Sequence, residues 1–261
     1  MEKVKVFISD PQVLFREGIH FILSGEEDFE VTGETTSNEE ALTLIEANTP
    51  NIAILSTKDS KLNGPDATRR IKRNLPSVSV VLVIDKGDEE LLFAALKCGA
   101  SAYLTKDTDP EYLLDAIRVI AQGSQPIIEV LLQPALAAKT LAEFEDLAVL
   151  SEQVGNMLAR LTPKEAEILG SIAAGNNLEQ ATAKLNLNEE TIRRNLRMIL
   201  SKLTSNDQAR AVIEAAQRSL PSIIRGTGRL TASSEYVTKA EFNEFKESLL
   251  ARFKSLTGGL T

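Results

Sequence analysis

The sequence predicts two folded domains of different class. The first is a doubly wound α/β domain built as (βα)5. The second is an all-α domain of four helices, and a linker then leads to one extra C-terminal helix. Three observations predict this. Residues 1–123 alternate strand-length apolar runs with helical patterns, as a parallel sheet covered on both faces requires. Residues 160–218 show only helical periodicity, punctuated by caps. Residues 219–237 are rich in Pro, Gly, Ser and Thr, and a capped apolar stripe follows at 238–257.

The five strands are VKVFIS (4–9), FEVTGE (29–34), NIAILS (51–56), SVVLVI (79–84) and SAYLT (101–105). Several are unbroken aliphatic or β-branched runs, the pattern of parallel strands buried on both sides. Helical patterns fall near 12–24, 38–48, 64–74, 88–98 and 110–122. Asn38, with Glu40 nearby, opens the second, and Asp109–Pro110 opens the fifth. Gly123 to Pro126 closes the domain. Residues 124–159 are Ala- and Leu-rich and read as a helical linker broken at Pro134. In the second domain Thr162 caps a helix with Pro163 at its first position, and Gly175 ends it. A second helix runs near 178–185. Asn188 caps a third, 189–203, with Ile192, Leu196, Ile199, Leu200 and Leu203 on one face. The final stripe, Phe242, Phe245, Leu249, Phe253 and Leu256, follows a capping-box start at 237–241.

Composition narrows the chemistry. A hydrophobic share of 43% and a charged share of 25% are those of an ordinary globular chain. No apolar run reaches membrane-spanning length, and the N-terminal MEKVKVFISD alternates like a strand rather than a signal core. The expectation is a cytoplasmic protein with no membrane partner. One cysteine, Cys98, forbids an internal disulfide and a cysteine-based metal site. The only histidine, His20, lies beside Ile19, Phe21 and Ile22. No catalytic constellation is visible, so neither an enzyme nor a cofactor or metal is expected. Net charge is −8, yet residues 160–218 hold nine Lys or Arg against seven Asp or Glu. A mildly basic module on an acidic chain is compatible with a nucleic-acid reader.

That module carries a specific pattern. Its third helix sets Arg193, Arg194, Asn195, Arg197 and Lys202 opposite the apolar face, and guanidinium and amide groups are suited to base edges and phosphates. The run LTPKEAEIL…AAG…LNLNEETIRRNL…ILSKL resembles the LuxR-type helix-turn-helix over some fifty-five residues. The resemblance implies that the third helix enters the major groove of double-stranded DNA as one half of a dimer. Arg193 and Arg197 match positions that are usually basic and touch DNA, and Lys202 matches the basic residue of the KL pair. This chain departs from the pattern at four places. Asn195 replaces a common His. Glu179 stands where a phosphate-facing Lys is common, and Leu178 where a small polar residue is. Asn206 replaces a basic phosphate clamp.

The first domain, through FISDPQVLFREGIHFIL, NIAILSTKDSKLNGPDA and ALKCGASAYLTKD, resembles the flavodoxin-like receiver domain of NarL/FixJ-type response regulators. In that family an acid pair and a phosphoacceptor Asp hold Mg²⁺, while a hydroxyl and a Lys bind the phosphoryl group. Here the acid pair reads Asp10–Pro11, the acceptor Ser56 and the hydroxyl Ile84. Lys106 stays, and Tyr103 keeps the aromatic position. One carboxylate of three is too few for an octahedral Mg²⁺, and an unactivated serine is a poor phosphoacceptor. Asp10, Ser56, Ile84 and Lys106 therefore read as a vestigial phosphorylation pocket, with Lys106 and Asp10 as a structural ion pair.

The expected function is a phosphorylation-independent response regulator that binds double-stranded DNA as a homodimer and controls transcription. Two alternatives stand beside it. One is a protein-docking module on RNA polymerase or a sensor protein, with the C-terminal helix as a hook or a self-association element. The other is a ligand sensor that uses the emptied receiver cleft.

Overall fold

The strands form because the apolar runs alternate in what they bury. In the computed structural model, which describes residues 3–59, 61–85, 89–153 and 158–219, five parallel strands lie in the order β2-β1-β3-β4-β5. They are β1 Val4–Ser9, β2 Phe29–Thr35, β3 Ile52–Ser56, β4 Ser79–Ile84 and β5 Ala102–Thr105. Val6, Ile8, Ile52, Ile54, Val81, Val83, Ala102 and Leu104 point to one face. There they meet Ile19 and Leu23 of helix α1 (Val13–Ser24) and Leu113, Ile117 and Ile120 of α5 (Pro110–Ala121). The alternate residues Phe7, Ala53, Leu55, Val80, Leu82 and Ile84 face α2 (Asn38–Ala47), α3 (Gly64–Asn74) and α4 (Glu89–Cys98). This period-two division is why nearly every strand residue is apolar.

Helix starts follow their caps. Asp109 caps α5 through the Glu111 amide and Asn63 caps α3 through the Asp66 amide. At α2 the cap is Ser37, which accepts from the Glu39 amide. Asn38, expected to open that helix, is its first residue and turns its side chain inward to other work. Gly64, at the start of α3, has no room for a side chain: a Cβ there would lie 2.7 Å from the Ser56 carbonyl oxygen and 2.8 Å from Leu82.

After α5 a 3-10 turn, Pro126–Leu132, precedes α6 (Pro134–Gln153). Pro134 both ends the turn and supplies the first position of the helix, where its missing N–H costs nothing. The output domain follows as α7 (Pro163–Ala173), α8 (Leu178–Leu185) and α9 (Glu189–Ser219). The segments expected as separate third and fourth helices run on as a single helix of 31 residues. No Gly or Pro occurs from Glu189 to Ser219, so nothing in the sequence interrupts the backbone ladder. The core on the α2–α4 face continues through Ile127, Leu131, Leu136 and Phe144 into Ile168, Leu169, Ile192 and Leu196 of the output domain. Residues up to Ala215 accordingly pack as one unit. Among the described residues no helix is long and apolar enough to cross a membrane. The stripe at 238–257 and its linker lie outside the described residues.

Candidate nucleic-acid interface and receiver pocket

Helix α9 is positioned from its start. Asn186 takes a left-handed conformation (φ 52°) and ends α8, and Asn188 then accepts the Thr191 amide at 2.8 Å. The expected apolar stripe is buried throughout: Ile192, Leu196, Ile199, Leu200 and Leu203. Burying that face turns Arg194, Arg197 and Met198 outward, all exposed.

The five residues expected at DNA divide into distinct environments. Arg194 and Arg197 stand on the outer face. Arg193 is shared between two acids. Its Nε donates to Glu189 at 2.8 Å, one turn earlier, and its Nη1 bonds Glu129 of the 3-10 turn. These two carboxylates raise its pKa, Glu189 most of all. Asn195 donates to the Thr191 carbonyl oxygen at 2.7 Å, within its own helix. Lys202 turns inward: its Nζ donates to Glu165 Oε2 at 2.6 Å. Glu165, 3% exposed, is the closing residue of a capping box in which Thr162 Oγ accepts the Glu165 amide and the Glu165 carboxylate accepts the Thr162 amide at 2.7 Å. Burial pushes the Glu165 carboxyl up, but Lys202 and the Thr162 amide outweigh it and hold it below its ordinary value. Asn206 is buried as well. It clasps the Ala159 peptide from both sides, accepting from its N–H and donating to its oxygen, each at 2.8 Å.

The far part of α9 leans on the receiver. Arg69 of α3 meets Asp207 through Nε at 2.5 Å and Nη2 at 3.3 Å. Lys97 of α4 bonds Glu143 of α6 at 2.6 Å. Gly99, just past α4, has φ +82°, and a Cβ there would stand 2.8 Å from Thr204. These pairings join residues from 46 to 138 positions apart, beyond the reach of any local pattern.

The receiver pocket lies at the carboxyl ends of β1, β3, β4 and β5, where such sheets place their ligands. Asp10 is 1% exposed. Its Oδ1 accepts the Gln12 amide at 2.7 Å and Lys106 Nζ at 3.3 Å. Lys106 also stands 3.1 Å from Oδ2 as an ion pair, without hydrogen-bonding geometry to that oxygen. The expected Lys106–Asp10 pair is thus formed, and the Phe15 ring lies 5.1 Å from the ammonium. Ser56 is buried. Its hydroxyl accepts from the Lys58 amide at 3.4 Å and its carbonyl oxygen accepts from Asn38 Nδ2 at 2.9 Å. Ile84 is fully buried among apolar side chains. Asp59 is turned away from the pocket, accepting from the amides of Asn38 and Lys61 at 2.6 and 2.8 Å. Asp85, which sequence reasoning passed over, pairs with Lys58 at 2.9 Å and with Lys106 at 3.0 Å.

This donor set does not fit a magnesium ion. Pro11 brings no side-chain oxygen, Ser56 is neutral, and the Asp10 carboxylate already faces a lysine and an amide. Among the described residues no three His, Cys, Asp or Glu side chains are grouped to hold a metal.

Comparison with known proteins matches residues 6–118 to the response regulator receiver domain and residues 159–215 to the bacterial regulatory proteins of the luxR family. The chain is 30% identical over 224 residues to the transcriptional regulatory protein DegU of Brevibacillus brevis, covering 82% of this chain and 93% of DegU. It is 30% identical over 217 residues to the response regulator protein VraR of Staphylococcus epidermidis, covering 83% and 98%. Among solved structures, the RcsB response regulator of Salmonella typhimurium is similar at 23% identity and a TM-score of 0.45, covering 78% and 93%.

Proposed function

Since the chain belongs to the response regulators, with a receiver domain followed by a LuxR-type DNA-binding output domain, and is a DNA-binding transcription regulator of that type, we propose that it reads its site with Arg194 and Arg197, works as a homodimer, and needs no phosphoryl transfer. One observation carries the DNA reading. Helix α9 buries a single apolar stripe, and this leaves both guanidinium groups on the opposite, exposed face. Arg193 joins them once it exchanges Glu129 for a phosphate or a base. The independence from phosphate rests on the pocket. A neutral Ser56 stands at the acceptor position, and Lys106 is already held by two carboxylates.

The test begins with selection of duplexes from a random pool by the full chain. On the selected duplex, Arg194→Ala and Arg197→Ala each weaken binding by about 1–3 kcal/mol where the arginine reads a base. A phosphate contact instead gives a sequence-uniform loss and lowers the salt slope by about one. Light scattering with the selected duplex reads two chains per site. Treatment with acetyl phosphate and Mg²⁺ leaves the protein unmodified, and Ser56→Asp does not change that while Pro11 and Ile84 remain. No selected sequence, or unaltered affinity in both arginine variants, would support the protein-docking reading, which the exposed Glu179 at the start of α8 favours.

A further inference from the structure

Three loops converge at the carboxyl edge of the sheet, and the backbone fixes their approach. Thr57 N–H donates to the Val83 carbonyl oxygen at 2.9 Å, and Lys106 N–H donates to the Ile84 oxygen at 3.3 Å. The residues just past β3, β4 and β5 are therefore neighbours by register, whatever their side chains. Here they are Lys58, Asp85 and Lys106. One carboxylate stands between two ammonium groups, with Oδ2 at 2.9 Å from Lys58 and Oδ1 at 3.0 Å from Lys106.

The charges give Asp85 its place. Lys106 has a side chain only 14% exposed, so its charge is costly without a partner. Asp10 supplies one carboxylate, but that group is itself buried and shared with the Gln12 amide. Lys58, 68% exposed at its side chain, brings its ammonium to the rim of the pocket, 2.9 Å from Asp85. Without Asp85 the edge would present two ammonium groups against one occupied carboxylate, which is the chemistry of an oxyanion site.

We infer that this pocket is an anion-binding site whose resident anion is the chain's own Asp85 carboxylate, clamped between Lys58 and Lys106 and excluding a free oxyanion such as phosphate. The two lysines hold the Asp85 carboxyl below its ordinary value, Lys58 first, so the group stays charged at neutral pH. The clamp ties the β3, β4 and β5 loops together a few residues before α4, the helix whose far end seats Thr204 of α9. It extends the phosphate-independent reading and does not depend on DNA binding.

The experiment follows thermal unfolding of the full chain by circular dichroism in inorganic phosphate, against sodium chloride at equal ionic strength. Wild type shows the same midpoint in both salts. Asp85→Ala gains a saturable, phosphate-specific rise of about 2–5 °C. Lys58→Ala added to Asp85→Ala abolishes that rise. Should Asp85→Ala not fold, Asp85→Asn carries the same test, because an amide of the same shape leaves both lysines without their anion. Equal phosphate responses in wild type and both Asp85 variants overturn the inference, as does the absence of a response in either variant. A rise that survives loss of Lys58 also overturns it, because the anion would then sit elsewhere.

Discussion

Replacing Lys202 with methionine separates a structural lysine from a DNA-binding one. The substitution keeps the stem that packs along the helix and removes only the charge. It leaves the Glu165 carboxylate, 3% exposed, with the Thr162 amide as its remaining strong donor. Breaking a fully buried pair costs about 3–5 kcal/mol. Lys202 is 21% exposed at its side chain, so water reaches part of the gap. A loss of about 2–3 kcal/mol follows. With an m-value of about 2–3 kcal/mol/M, the urea midpoint of the transition that includes the output domain falls by about 1 M. Circular dichroism of the full chain reads it. Glu165→Gln in the Lys202→Met background restores most of the loss, since the orphaned charge is gone. The pH dependence has a fixed sign. Glu165 is depressed in the folded chain, so its contribution is present above its unfolded value and disappears as pH falls through the lower folded value. In Lys202→Met that acid limb flattens. An unchanged urea midpoint, together with a sequence-uniform loss of DNA affinity, would refute the reasoning and return Lys202 to the phosphate backbone.

Further outcomes follow from other contacts. Glu129→Gln releases one of the two acids on Arg193 and tightens DNA binding about two- to fivefold, matching about 0.5–1 kcal/mol for a partly exposed pair; a titration showing weaker binding would contradict it. Asn206→Ala lowers stability by about 1–2 kcal/mol in urea unfolding, with an unaltered salt slope for DNA, because both its bonds go to the Ala159 peptide. Gly99→Ala costs about 1–2 kcal/mol from its positive φ alone. Thr204→Ala then recovers only the part due to the clash, measured by the same unfolding. Burial pushes the Cys98 thiol up to about 12, so a disulfide reagent labels it only as fast as the chain unfolds.

The sequence made the layers legible and left the cross-links hidden. The strands could be placed because alternate residues such as Val6 and Phe7 bury on opposite faces, and period two is a local signal. Thr162, Asn188 and Asp109 were readable as caps because a cap acts over three residues. Asn38 marks the first residue of α2 as expected, and the cap itself is Ser37, one residue earlier. The continuity of α9 ran against the four-helix pattern that the resemblance supplied, although the absence of Gly and Pro was visible throughout. Within the site, the apolar stripe determines which side chains face outward, so the exposure of Arg194 and Arg197 is legible from the periodicity. Lys202 has its acidic partner 37 positions away, and Arg193 adds to Glu189 at the helical spacing a second acid, Glu129, 64 positions away, at distances no helical period encodes. Asp85 carries no local signal, because its partners Lys58 and Lys106 come from the ends of two other strands.

The unbroken α9 sets a phase relation within this protein. Arg194 and Arg197 lie on the same rod as Thr204 and Asp207, which touch α4 and α3. An α-helix turns about 100° per residue, so one residue gained or lost between Arg197 and Thr204 rotates the arginine face by about that angle against the receiver. Four residues gained come back to within about 40° of the original heading, with about 6 Å of extra length. Substitutions at exposed points such as Ser201 leave this angle untouched, whereas any change of length resets it. Exposed positions of that stretch such as Met198 and Ser201 should therefore vary in composition, while its length should hardly vary at all.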